Sequence, residues 1–240
     1  NDVYLQQSID ISGKLLQENQ LVLHFRSTDR IISEIPLPKE LEGRVRKSAK
    51  ARIFDSAYGD YLGPKPRLVR MGVYDDIYLE KTDKTKISWM DIDTRLDDSL
   101  QHATVSVQLT CDGDVSGCEA AVKIIDSHGH AAGMCRKPFG DPVNSPLTFE
   151  FAIETPDLWW PRLHGNQPLY TIEASILTGN HIHDTGSKKI GIRKIGLAGD
   201  LDFRINNLPI KLYGANLAPL DTLTNVYDRE KMDRMLQLAG

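Results

Sequence analysis

Period-two alternation of apolar and polar residues recurs along the middle of this chain, and no other feature limits its possible folds as tightly. Val105, Val107 and Leu109 alternate with Thr104, Ser106, Gln108 and Thr110. Leu147, Phe149, Phe151 and Ile153 alternate with Thr148 and Glu150, and Tyr170, Ile172, Ala174 and Ile176 with Thr171, Glu173 and Ser175. Successive side chains of a strand point to opposite faces, so each run describes a strand with one face in a core. Ile87, Trp89 and Ile92 begin the series, Val122-Lys123-Ile124-Ile125 falls inside it, and Ile190, Ile192 and Ile195 end it. About seven such strands with turn residues between them predict an immunoglobulin-like β-sandwich over residues 83–196. The loop Cys111-Asp112-Gly113-Asp114 has two carboxylates beside a glycine but not the spacing of a calcium loop, and reads as a turn.

The flanks read differently. Residues 1–82 hold strand-like runs at Leu21–Phe25 and Met71–Glu80, with a proline-bearing edge or loop over Ile31–Pro38. These are too few to close a sandwich, so the segment reads as the end of a larger domain. Arg44 to Arg52 is basic and reads as a solvated loop; Tyr58 to Pro66 is dense in glycine and proline and reads as an ordered one. The chain opens on Asn1-Asp2-Val3-Tyr4 without a signal-peptide pattern, which points to a piece of a longer protein. Toward the other end, Phe203–Ile205 alternates into Asn206-Asn207, a pair that tolerates the positive φ of a hairpin turn. Ile210–Asn216 is nearly continuous apolar chain, as in a strand buried on both faces, and Asn216, Pro219 and Asp221 form a polar cluster at its end. Met232, Met235, Leu236 and Ala239 share one helix face behind Asp228, a fitting N-cap. One strand and one helix cannot bury their own faces, so this is the first unit of something larger.

A net charge of −4 gives no reason to expect nucleic acid or an anionic membrane as a partner. No apolar run approaches the roughly 20 residues of a membrane-spanning helix. Cys111, Cys118 and Cys135 lack a zinc spacing; a Cys111–Cys118 bridge and reduced thiols both remain open. His128 and His130, like His181 and His183, fall in turn-rich stretches where spacing identifies no third ligand. No metal and no cofactor is expected.

Several of these stretches together resemble glycoside hydrolase family 2. Leu158-Trp159-Trp160-Pro161, then Gly165-Asn166-Gln167-Pro168-Leu169-Tyr170, is similar to the Trp-Pro and Gly-Asn-Gln-Pro-Leu-Tyr pattern of that family's immunoglobulin-like domain. Lys189 to Ile195 resembles the Gly-(Phe/Ile)-Arg strand entering its barrel, and Phe203 to Asn216 its Phe-x-(Ile/Val)-Asn-Gly-x-Pro-Ile strand. Ile9-Asp10-Ile11-Ser12, Leu15-Leu16 and Asn19 resemble its N-terminal sugar-binding jelly roll, and with Arg46-Lys47 and Gly72-Val73-Tyr74 the chain is most like the β-mannosidase group. The resemblance implies an all-β chain with a C-terminal strand and helix: the end of a jelly roll at 1–82, the sandwich at 83–196, and the first strand and helix of a (β/α)8 barrel at 197–240.

It also implies a retaining, exo-acting β-glycosidase acting on a β-linked oligosaccharide or glycoside. Its two glutamates would stand roughly 5 Å apart. Both would lie on later barrel strands, so no catalytic residue is expected in this chain. In the β-mannosidase group a Trp-Asp-Trp-Gly-Pro loop reaches the sugar; here, with Gly63-Pro64 matched, Asp60 and Tyr61 fall near its polar and aromatic positions, whereas matching Pro66 removes the aspartate. Asn216 and Asp221 would stand at the barrel mouth and orient sugar hydroxyls, although Leu217 departs from the family's aromatic. Trp159-Trp160 reads either as a sugar platform or as packing at the sandwich–barrel junction, with Arg193 as a junction ion-pair partner. The unfinished barrel unit would promote association through its apolar strand. The rival reading is a non-catalytic carbohydrate-binding or scaffold module.

Overall fold

The computed structural model describes residues 6–44, 72–73, 76–140, 146–199, 202–214, 216 and 228–239. It divides into two units, one of residues 1–78 with 216–240 and one of residues 79–215.

In the first unit Ser27 opens helix α1, Thr28–Glu34, its hydroxyl accepting from the Arg30 amide at 3.4 Å. This helix replaces the edge or loop expected from Ile31. The strands expected at Leu21–Phe25 and Met71–Glu80 are not formed among the described residues of those stretches, and Leu21, Val22, Leu23, Phe25, Ile77 and Leu79 are exposed. An alternating run becomes a strand only when a neighbour takes its backbone N–H and C=O groups, and among the described residues none pairs with these. Helix α2, Arg229–Ala239, forms where the apolar periodicity places it, and Asp228 caps it through the Lys231 amide at 3.0 Å.

The second unit is the sandwich. One sheet has the order β1-β2-β5, with β1 Thr85–Leu96, β2 His102–Gly113 and β5 Leu147–Glu154. The other has the order β4-β3-β6-β7, with β3 Glu119–Ile125, β4 Ala131–Pro138, β6 Tyr170–Thr178 and β7 His181–Ile190. All pairings are antiparallel. Val105, Val107, Leu109 and Phe149 from one sheet meet Val122, Ile124, Ile172 and Ala174 from the other in one buried cluster. The alternation read from the sequence is therefore the core itself. Tyr170 opens β6 buried, and its hydroxyl accepts from the Asp157 amide at 2.9 Å, tying the preceding loop down. Strands β4 and β7 are not anticipated by the sequence, and His181 and His183 lie on β7 rather than in a loop. A three-stranded meander follows: β8 Ile195–Ala198, β9 Asp202–Ile205 and β10 Leu208–Pro209.

Asn206 and Asn207, at φ 49° and 67°, make the two-residue turn between β9 and β10 that the sequence predicts. The buried strand expected at Ile210–Asn216 is not formed among the described residues there. Residues 211–214 are exposed and irregular, with Tyr213 88% exposed. A parallel strand needs hydrogen-bonding neighbours, and among the described residues none flanks it.

Candidate functional site

A dense set of specific contacts lies where the sandwich hands its chain to the meander. Leu158 and Ile192 form an isolated parallel bridge, and the Trp159 amide donates to the Ile192 carbonyl at 2.8 Å. Gly191 is what lets the indole lie flat there: a Cβ on it would stand 2.6 Å from Trp159 Cγ. Gly165 does the same for Trp160, at 2.8 Å. Gln167 Nε2 donates to the Trp160 and Gly165 carbonyls at 3.0 and 2.7 Å, and the Trp160 amide donates to the Asn166 carbonyl at 2.9 Å. The Trp-Pro and Gly-Asn-Gln motifs are thus two halves of one folded loop.

Asn206 closes the arrangement. It is 4% exposed; its Oδ1 accepts from the Lys194 amide at 2.9 Å and its Nδ2 donates to the Trp159 carbonyl at 3.1 Å. Its own amide donates to the Lys194 carbonyl at 2.8 Å. Asn207 Nδ2 donates to the Asp98 carbonyl at 3.0 Å, and the Lys194 ammonium pairs with the Asp98 carboxylate. The turn, the 158–160 loop and the exit of β7 are therefore locked by one amide side chain. Among the described residues no carboxylate meets Arg193, the residue expected to form an ion pair at the junction. Its guanidinium lies 4.9 Å over the Trp159 ring and donates to the Gly191 carbonyl at 3.1 Å. Both tryptophans are packed against glycines rather than laid open as a platform, which favours the packing reading.

Of the sugar-contact residues expected from sequence, Asn216 is exposed on irregular chain, and Asp60, Tyr61 and Asp221 lie outside the described residues. A groove on the outer face of the β1-β2-β5 sheet is lined by Asp91, Asp93, Thr104, Ser106, Gln108 and Glu150, with Arg95. No aromatic ring lines it, so it offers nothing for the apolar face of a sugar.

The cysteines are free thiols, and Cys111 and Cys118 pack on one small apolar cluster with Val115 and Ile176. Burial first, and then the negative charges nearby at Asp112 and Asp184, push the Cys111 thiol up to about 11. At neutral pH Cys111 is therefore protonated, and alkylation with iodoacetamide is expected to run on the order of a hundredfold slower than for a free cysteine. Labelling at the rate of free cysteine, followed by mass spectrometry, would contradict this.

A third ligand for one of the histidine pairs, not identifiable from sequence spacing, is present in the fold. Asp83 Oδ2 stands 2.9 Å from His181 Nε2 and 2.8 Å from His183 Nδ1. The side-chain hydrogen bonds of the two histidines hold the Asp83 carboxyl down at about 2. His128 and His130 sit in the β3–β4 turn as expected, beside Asp157 and Asp126 respectively.

Comparison with known proteins adds the following. Residues 85–193 match the family model for glycosyl hydrolases family 2. The chain is 24% identical over 214 residues to a β-galactosidase of Leuconostoc mesenteroides, covering 86% of this chain and 20% of that protein. It is 28% identical over 184 residues to β-mannosidase B of Thermothelomyces thermophilus, covering 73% and 21%. In fold it is similar to the Parabacteroides merdae β-glucuronidase, with a TM-score of 0.56 at 17% identity over 65% of this chain and 20% of that one. The chain thus spans about a fifth of the length of these relatives.

Proposed function

We propose that this chain, which belongs to glycosyl hydrolases family 2, is the non-catalytic middle of a retaining, exo-acting β-glycosidase of the β-mannosidase kind. Residues 1–82 are then the end of a sugar-binding jelly roll, 83–196 the immunoglobulin-like sandwich, and 197–240 the opening strand and helix of a (β/α)8 barrel. The observation that carries the reading is the Asn206 lock, because it fixes the direction in which the chain leaves the sandwich. A β-glycosidase needs such fixing: its sugar pocket is assembled from separate domains, and an ångström of misplacement costs rate. The matched region, 85–193, contains the Trp159 and Ile192 side of this lock and ends just before Lys194.

In that assembly the sandwich is a spacer and support. Asp60, Tyr61, Asn216 and Asp221 contribute to a sugar pocket whose acid/base and nucleophile, two glutamates, belong to later barrel strands. The exposed Leu212 and Tyr213 are the apolar surface that barrel neighbours cover, and through which the chain alone associates.

The test is direct. The purified 240-residue chain is expected to release no p-nitrophenol from p-nitrophenyl β-mannoside. It should also bind mannose or mannobiose no more tightly than millimolar by calorimetry, because a pocket lacking most of its walls cannot desolvate a sugar. Turnover by this chain would overturn the assignment of the catalytic glutamates to other sequence. Micromolar binding without turnover would favour the carbohydrate-binding module instead.

A further inference from the structure

We propose that Asp83, His181 and His183 form a site for one divalent transition-metal ion, with zinc the ion that fits best, and that the ion staples the two sheets of the sandwich along one seam. The inference rests on the sandwich alone and stands whatever the parent protein cleaves.

The site is a product of strand geometry. Residues two apart on a strand share a face, so His181 and His183 start from a common side of β7. The register then adds to this: Leu177 pairs with Ile182 and Ile176 with Asp184, leaving His183 as the extra residue of a bulge. A bulge re-aims the side chain it carries. Here it tucks the His183 ring in, with the side chain 8% exposed, while His181 stays 67% exposed. The rings meet edge to face at 4.7 Å between centroids. Asp83 comes from the chain just before β1, and one oxygen, Oδ2, receives both histidines. All three donor atoms lie within 4.8 Å of one another.

The surroundings supply what a ligating histidine needs on its far side. His183 Nε2 is 2.9 Å from the Thr178 hydroxyl, which is itself 3.3 Å from Cys118 Sγ. That contact orients the ring: without an ion Nδ1 carries the proton it donates to Asp83, and when an ion displaces that proton Nδ1 offers it a lone pair while Nε2–H donates to the Thr178 hydroxyl. Two imidazoles and one carboxylate are a borderline donor set that suits zinc, copper or nickel and disfavours the all-oxygen preference of calcium and magnesium. Tetrahedral zinc with bonds of about 2.0–2.1 Å sets its donors about 3.3 Å apart. The Asp83 oxygen has to withdraw by about half an ångström and the two ring nitrogens, within 4.8 Å of each other, have to settle at the same spacing; the half-exposed Asp83 and the exposed His181 side chains have the room to do so. The fourth position opens to water beside His181 and Asp83. The location gives the role: Asp83 leads into the edge of one sheet and the histidines lie on the edge of the other. The same seam is already bridged by the Ile87 amide donating to Asp184 at 2.7 Å and by Lys188 donating to the Met90 carbonyl.

The experiment uses the whole chain, stripped with EDTA and dialysed. Cobalt(II) chloride is expected to give the visible bands of a tetrahedral nitrogen–oxygen site, saturating at one equivalent and displaced by one equivalent of zinc chloride. At a hundredfold excess over Kd, zinc should raise the thermal midpoint by several degrees. His183 is buried, so its truncation also removes packing; the exposed ligands decide the matter. Asp83→Asn and His181→Ala should each weaken binding about tenfold or more and abolish the thermal shift. The double variant His128→Ala/His130→Ala should change neither. No cobalt bands, binding only at millimolar metal, or binding that is lost with the His128/His130 pair and kept in Asp83→Asn would each overturn the proposal.

Discussion

Asn206→Ala is expected to lower the stability of the sandwich unit by about 2–4 kcal/mol. The substitution removes an amide that is 4% exposed and takes the side-chain partner from two part-buried backbone groups, the Lys194 N–H and the Trp159 carbonyl. Each hydrogen bond lost at a part-buried group costs about 0.5–1.5 kcal/mol. Alanine must also adopt the φ of 49° that asparagine tolerates, which costs roughly 1 kcal/mol more. Asn206→Gly separates the two contributions: it restores the backbone freedom but not the hydrogen bonds, and should recover about 1 kcal/mol. Asn206→Asp gives a second check through pH. One carboxylate oxygen still accepts from Lys194, but the other faces the Trp159 carbonyl, so folding favours the protonated form and raises the pKa above its unfolded value. Stability of that variant should therefore be greatest below the unfolded carboxyl value and fall as pH rises through the folded one. Urea unfolding decides these points: a shifted midpoint at constant slope is expected, and a midpoint within error of the parent's would refute the lock.

How far the sequence reaches follows from what each signal measures. Alternation at β2, β5 and β6 names the core residue by residue, because those strands turn one face wholly inward. Strands β4 and β7 escape because they are the two edges of their sheet and carry Arg136, Lys137, Lys188 and Lys189, the charges that keep an edge from pairing further. The opposite case is Leu21–Phe25, where the pattern fits a strand and no partner among the described residues completes it. Propensity is local; pairing is not. The Asn206-Asn207 turn is legible as a turn, since positive φ is a property of two residues. That Asn206 also caps Trp159, 47 residues away, is not. Asp83 is separated from His181 by 98 residues, so no spacing rule could have joined them. Among the expected sugar contacts, only Asn216 falls on described chain, and its exposure leaves its role to the proposed barrel.

Gly191→Ala should cost about 2–3 kcal/mol, a large effect for one methyl group. The new Cβ would stand 2.6, 2.7 and 2.8 Å from Trp159 Cγ, Cδ1 and Cβ, so the indole has to move. It cannot move cheaply. Its amide holds Ile192, its ring lies beneath Arg193 at 4.9 Å, and its carbonyl is the acceptor for Asn206. Displacement therefore strains the same lock that Asn206→Ala empties, and the two variants together should lose less than the sum of their separate costs. Trp159→Ala removes the Cγ and Cδ1 parts of the clash and leaves the Cβ contact at 2.8 Å, so Gly191→Ala should cost less in that background, with coupling of about 1 kcal/mol. Gly140→Ala is the reference: a Cβ there meets nothing within 4 Å, and its effect should stay within about 0.5 kcal/mol. Tryptophan fluorescence of folded Gly191→Ala should shift to the red as Trp159 loses its cover. Unchanged emission and an unchanged urea midpoint would mean that the indole does not lie on the Gly191 backbone. In a catalytically complete parent the same substitution should depress kcat/KM while leaving the reacting carboxylates in place, because it tilts the path by which the chain enters the proposed barrel.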